Sequence, residues 1–443
     1  AALDGLTIQG TDGADTLKLD IASLDSSVDI SFLGGGDDIL FAANDNDFTL
    51  GESELNIGTS SFGFVGIEKL ELEGGNTDNT FTLDSWLGDF SIKGGLGNDS
   101  LVGSSSIDND WLIDGQDSGY LNNQSFLSIE NLFGGVANDD TFVFAQAGSL
   151  SGVVEGGDAG FDIVELQGEY DQFVYEITGE QSGVITLDGT SLNFEGMEPI
   201  DITGSVSTIT VTGAVAQTDG TSTGSGSPAT STGDSLIVRA SADVGFDMEV
   251  VPVSGEKLRF VNPTNSLVID ALDGIDTVTF ESFDSGFNGD LTVYAANIIV
   301  ESTATIDTDG DVIFHAINNS ERLISLPGTP AEAVSFVENS LAGTLFLYDK
   351  SASVNVLGNI TANSLDIIAR TEGTVTNPIL GLPLNYFSDK AEIKIENATI
   401  NLDTTLSLHA ETKATYTAEG GLAVNVIEGS TKAYIESSVI NTG

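Results

Sequence analysis

The stretch IKGGLGNDSLVG, residues 92–103, decides how the chain is read. Gly94, Gly95 and Gly97 stand within four residues. Glycine weakens the interior of a helix or strand but frees the backbone for positive φ, so such a cluster marks a turn. Asp99 follows, with a short carboxylate suited to bonding turn amides. Apolar, strand-like runs end at Ile92 and begin again at Ser100. The stretch reads as a corner between two strands.

The same corner recurs through the first half. It reads GTDGADTLKL from Gly10, GGGDDILF from Gly34, GGNTDNTFTL from Gly74, GGVANDDTFVF from Gly134 and GGDAGFDIVEL from Gly156, with a late echo, ALDGIDTVTF, from Ala271. Several intervals are close to 20 residues or twice that. Gly51 and Gly115 read as weak corners that fill the double gaps. A longer repeat lies over this one: FVGIEKL starts at Phe64, FLSIENL at Phe126 and FEGMEPI at Phe194. The N-terminal half is thus expected to be a tandem array of three-coil modules.

The second half uses other phrases: VESTATIDTDGDVIFHA from Val300, VLGNITANSLDIIA from Val356 and IENATINLDTTLSLHA from Ile395. Each has a strand, a Thr/Asn-rich turn, a second strand and a closing Ala. Proline-bearing segments between them, LPGTPAEAV and NPILGLPLNYF, read as loops or hairpins leaving the body. Residues 214–235 are rich in Gly, Ser and Thr and lack a strand pattern, as a linker or long loop would. The expected organisation is a Gly-Asp-cornered solenoid over 1–213, the linker or loop at 214–235, and a second solenoid over 236–443.

A single strand-turn-strand unit cannot bury its apolar face, whereas stacked units line a continuous interior. Parallel stacking also pairs each strand with the coils above and below. Connections between parallel strands are overwhelmingly right-handed. The fold class expected is all-β: a right-handed parallel β-helix, or β-solenoid, with loop or hairpin excursions. The rival, a string of β-sandwiches, lacks a reason for a corner recurring near 20 residues.

Composition narrows the function. The 443 residues carry 68 acidic and 13 basic side chains, a net charge of −55. Such a surface repels nucleic acid and anionic lipid and suits divalent cations. No apolar run reaches the 18 residues of a spanning helix, so no membrane insertion is expected within this segment. Cysteine is absent, which excludes disulfides and thiol chemistry. The opening AALDGLTIQG and the closing SSVINTG are both in repeat language, so the chain is expected to be part of a longer protein.

The corners at Gly10–Leu17 and Gly94–Leu101 resemble the repeats-in-toxin, or haemolysin-type calcium-binding, family. The modules as a whole, Phe126–Phe144 followed by Leu150–Leu166, look like those of very large bacterial surface proteins. The second half is similar to filamentous-haemagglutinin-like adhesins, whose coils carry phrases like GDVxFxA. These resemblances imply an extracellular or cell-surface protein and calcium as cofactor. The ion takes six to eight oxygens, and a Gly-rich corner offers bare carbonyls plus the carboxylate of its Asp. Sharing an ion needs corners one coil apart, as Gly74 with Gly94 and Gly134 with Gly156 are. The candidate ligands are Asp99, Asp140 and Asp162, with Asn79 where an Asp is expected. Asp15, Asp38 and Asp276 stand more isolated. Against this, Gly and Asp also serve a purely structural corner.

His315 and His409 occupy the same slot of the C-terminal repeat, which argues for a coil position rather than catalysis. No phosphate loop or serine-hydrolase elbow occurs. The expected function is therefore non-enzymatic: a structural or adhesive segment, calcium-stabilised, that self-assembles into fibres or a sheath. Its partners would be other copies, other surface proteins, or anionic polysaccharide bridged through divalent cations. The alternative is an extracellular polysaccharide-binding or polysaccharide-modifying β-helix protein of lyase or epimerase type, marked by a groove where carboxylates and basic side chains converge.

Overall fold

The computed structural model describes residues 6–19, 30–33, 35–179, 181–213, 235–253, 255–271, 276–318, 323–325, 345–371, 374–377, 384–413, 415–418 and 424–442. All regular structure among them is β. The chain divides into two compact units, residues 1–170 with 181–205, and residues 171–180 with 206–443.

In the first unit, strands of successive repeats lie parallel and in register, the pairing of a β-solenoid. Asp89–Lys93 lies on Lys69–Glu73, placing Phe90 beside Leu70 and Ile92 beside Leu72. After the corner at 94–99 the chain enters a second sheet, where Ser100–Val102 lies on Thr80–Leu83. Alternate residues face inward, as period-two strands require. The interior is therefore built of columns. Phe48 stacks on Phe81 with ring centroids 4.9 Å apart, and Trp111 stacks on Phe142 at 5.2 Å. All four rings are essentially buried. Each such burial contributes about 1.5–3 kcal/mol before entropy is counted.

The parallel stack is interrupted at regular places by antiparallel meanders. Phe48–Leu50, Glu54–Ile57 and Ser60–Val65 form the first. Asp110–Gly115, Ser118–Leu121 and Gln124–Leu127 form the second. Ser182–Leu187 and Thr190–Glu195 form a further hairpin. These explain the double gaps. Gly51 and Gly115 are not worn corners: Gly51 closes the first hairpin turn, donating its N–H to Glu54 O at 2.8 Å, and Gly115 sits at the register shift of the second. The longer repeat is a meander plus the corner that follows it. Phe64, Phe126 and Phe194 all lie in the last strand of their meander.

The second unit opens with a meander of the same kind, Ser235–Ala240, Met248–Pro252 and Leu258–Phe260. Parallel ladders follow. From Asn297 onward each coil gains a third strand: Thr305–Asp307, Asn359–Ala362, Thr399–Leu402 and Val439–Thr442 stack in their own sheet. The coil repeat there is 40 residues rather than about 20. The closing alanines coincide, Ala316 beside Ala369 beside Ala410. Part of the proline-bearing stretch expected as a loop is strand instead, because residues 384–387 belong to Leu384–Glu396. Residues 326–334 and 378–383 lie outside the described residues, as does the expected linker except Ser235, which opens a strand.

Candidate functional site: columns of corner carboxylates

Parallel stacking places the corners above one another, so their carboxylates form columns. In the first column the backbone N–H of Asp15 donates to Asp38 Oδ1 at 2.8 Å, and the N–H of Asp38 donates to Glu68 Oε2 at 2.8 Å. In the second, Asn79 N–H donates to Asp99 Oδ1 at 2.7 Å and Asp99 N–H to Glu130 Oε2 at 2.6 Å. In the third, Asn109 donates both its N–H and its side-chain amide to Asp140 Oδ1, at 2.8 and 2.7 Å. Asp140 N–H donates to Asp162 Oδ1 at 2.8 Å, and Glu198 N–H closes the column on the backbone oxygen of Asp162. Each carboxylate thus receives the turn amide of the coil before it.

The corners expected to pair do stack. Leu96 N–H reaches Gly75 O across the Gly74 and Gly94 corners, and Ala137 N–H reaches Asp158 O across the Gly134 and Gly156 corners. Asp15 and Asp38, which look isolated in the sequence, are adjacent members of one column. Asp276 is buried in the second unit, where its carbonyl receives Asn297 N–H at 2.9 Å. Four column members were not among the candidates: Asn109 and the glutamates Glu68, Glu130 and Glu198. The glutamates are the Glu of the FxxIE and FxxME phrases, a visible signal that was read as a separate repeat.

Asp38, Asp99 and Asp140 are fully buried, and Asp162 and Asn79 nearly so. Burial raises the Asp99 carboxyl to about 6 and the Asp162 carboxyl to about 7, against the pull of the N–H each accepts. Neighbouring acids push the same way: Glu130 and Asp78 on Asp99, Asp140 and Glu198 on Asp162. Burial likewise raises Asp140, opposed by Asn109 and Gly135. Exposed acids form an outer rim with the same logic. Asp45 takes the N–H groups of Asn76 and Thr77 and is held below the usual carboxylate range, mainly by Thr77.

Can these columns hold calcium? Asp140 is saturated by donors, since its Oδ2 takes Gly135 N–H. Asp15 Oδ2 takes the N–H and hydroxyl of Thr11, and Asn79 Oδ1 takes Gly75 N–H. Asp38 Oδ2 and Asp99 Oδ2 are buried with no hydrogen-bond partner. They are the two column oxygens among the described residues onto which a cation could be added without displacing a donor. No group of three His, Asp or Glu side chains converges as a metal-ligand set among the described residues. An oxygen cage there would draw mainly on backbone carbonyls.

His315 and His409 lie in one register column, with Ile368 between them. Each meets one carboxylate, Asp366 at 3.3 Å and Glu411 at 3.2 Å. They do not converge on a shared pocket. A shallow groove of about 430 Å³ on the first unit is lined by Phe41, Glu71, Glu73, Ser91, Lys93 and Leu127, among others. Glu71 in it is ion-paired with Lys69 at 2.8 Å.

No protein-family model matches the chain, and neither does any curated protein.

Proposed function

We propose that the chain is a right-handed parallel β-helix that serves as a non-enzymatic structural or adhesive segment of a large secreted or cell-surface bacterial protein. The observation that carries this reading is the use of the corner carboxylates. An enzyme keeps some carboxylates accessible to substrate. Here the columns bury theirs and spend them on the backbone amides of the neighbouring coil, and the histidines follow the repeat. Chemistry with this distribution resists unwinding and needs no cysteine. Calcium belongs to the proposal at Asp38 and Asp99, where a carboxylate oxygen is left over.

The reading is tested by force spectroscopy on the full chain together with activity assays on a panel of uronans. Stepwise unfolding at high force with no cleavage or epimerisation supports it. Turnover of any uronan, lost on substitution of groove residues Glu73 and Lys93, sinks it.

A further inference from the structure

Residues 1–205 contain three basic side chains, Lys18, Lys69 and Lys93. All three stand on the outward face of one sheet. The registers set the rows. Lys18, Phe41, Glu71, Ser91 and Ser125 form one, Ala43, Glu73, Lys93 and Leu127 a second, and Thr16, Ile39, Lys69 and Asp89 a third. The face therefore carries three cations and three anions and is neutral, on a chain of net charge −55. It is also partly apolar: Leu127 is 51% exposed and Phe41 lies under the Lys18 ammonium at 4.7 Å.

Two molecules this acidic repel each other through almost any pair of faces. The neutral face is the exception. A two-fold contact brings the same patch together from both copies, so it must complement itself. A patch holding lysines and acids in adjacent rows does so: lysines of one copy can face glutamates of the other, with Leu127 and Phe41 between. An anionic polysaccharide would call for net positive charge instead. The Phe41 ring, which a sugar would stack on, is already covered by Lys18.

We propose that this face, formed by the strands Thr16–Leu19, Ile39–Ala43, Lys69–Glu73, Asp89–Lys93 and Gln124–Leu127, is a side-by-side contact between two copies of the chain. The inference rests on the reading of the chain as a self-associating structural segment. Five strands about 4.8 Å apart and five residues at about 3.3 Å cover roughly 300 Å². A stable interface buries about 800 Å² per partner, so the contact is weak and acts by repetition along packed copies.

The test is sedimentation of the full chain at low salt over a wide concentration range, with zero-length carbodiimide cross-linking. The wild type is expected to associate weakly, less so at high salt, and to cross-link lysines of this face to its glutamates. Lys69→Glu with Lys93→Glu, and separately Glu71→Lys with Glu73→Lys, should each weaken association at least tenfold while leaving the circular dichroism unchanged. Mixing the two variants should restore it. Association that persists unchanged in both variants overturns this face while leaving self-association standing. A chain that stays monomeric throughout overturns both. A uronan oligomer that binds the wild type and is lost in the Lys→Glu variant, with no self-association, assigns the face to a saccharide and also overturns the proposal.

Discussion

The backbone N–H of Asp99 donates to the Glu130 carboxylate at 2.6 Å, across 31 residues of sequence. The corner that supplies Glu130 has no Gly-Gly and no Asp; it follows a meander and reads SIEN. Its glutamate, one methylene longer, does what Asp99 does for Asn79. Replacing Glu130 by Ala strands a buried N–H and should cost about 1–3 kcal/mol. Glu130→Gln keeps an acceptor oxygen and should cost less than about 1 kcal/mol. Chemical denaturation of the three proteins measures both, and equal losses would refute the capping role.

The columns also set a pH dependence. Asp99 and Asp162 have folded-state values of about 6 and about 7, above the model value of 3.8. Between those limits the folded protein binds more protons than the unfolded chain, so stability falls as pH rises. The stabilisation is complete below about pH 4 and is lost as pH climbs through 6 to 7, so these groups make the fold more stable at pH 5 than at pH 8. Asp162→Asn keeps an oxygen for Asp140 N–H but cannot ionise. It should raise the melting temperature at pH 8, change it little at pH 5, and flatten the profile between. A parallel profile for wild type and variant would show that Asp162 is not the group responsible.

Much of this was legible in residues. The Gly-Asp corner predicted strand-turn-strand, and Ile92 and Ser100 do flank it as expected, the first strand running on to Lys93. The repeat of 20 residues emerged where coils are uninterrupted. It failed where a meander intervenes, because Gly51 and Gly115 punctuate hairpins with the same residue that punctuates corners. Nothing local separates the two uses; the distinction lies in which strand pairs with which. The column of Asp15 and Asp38 was hidden for a similar reason. Their separation of 23 residues looks irregular, and adjacency is set by the ladder, not by the interval. The third strand of the C-terminal coils was masked by its shortness, as in Thr305–Asp307.

Close stacking makes particular glycines irreplaceable. Gly157 has φ of 116°, and a Cβ there would collide with Gly135 O in the coil below. Gly157→Ala should cost roughly 2–3 kcal/mol, strain and overpacking together. Gly189 has φ of 90° at a hairpin tip with open space around it. Gly189→Ala pays for the conformation alone and should cost about 1 kcal/mol. Urea titrations of both variants check the order, and a reversal would mean that the corners are not packed coil on coil.

Calcium binding must be separated from the general effect of cations on a chain of charge −55. Any salt relieves self-repulsion and raises the melting temperature. A bound ion adds a term that grows with the logarithm of its concentration once its dissociation constant is passed. The comparison is therefore calcium against magnesium and sodium at equal ionic strength, followed by chelator. If Asp38 Oδ2 and Asp99 Oδ2 accept calcium, the wild type gains several degrees over the magnesium control. Asp38→Asn with Asp99→Asn loses that excess while keeping the N–H acceptors that hold Asp15 and Asn79. Equal melting temperatures in all three salts would mean that these corners turn the chain without a metal.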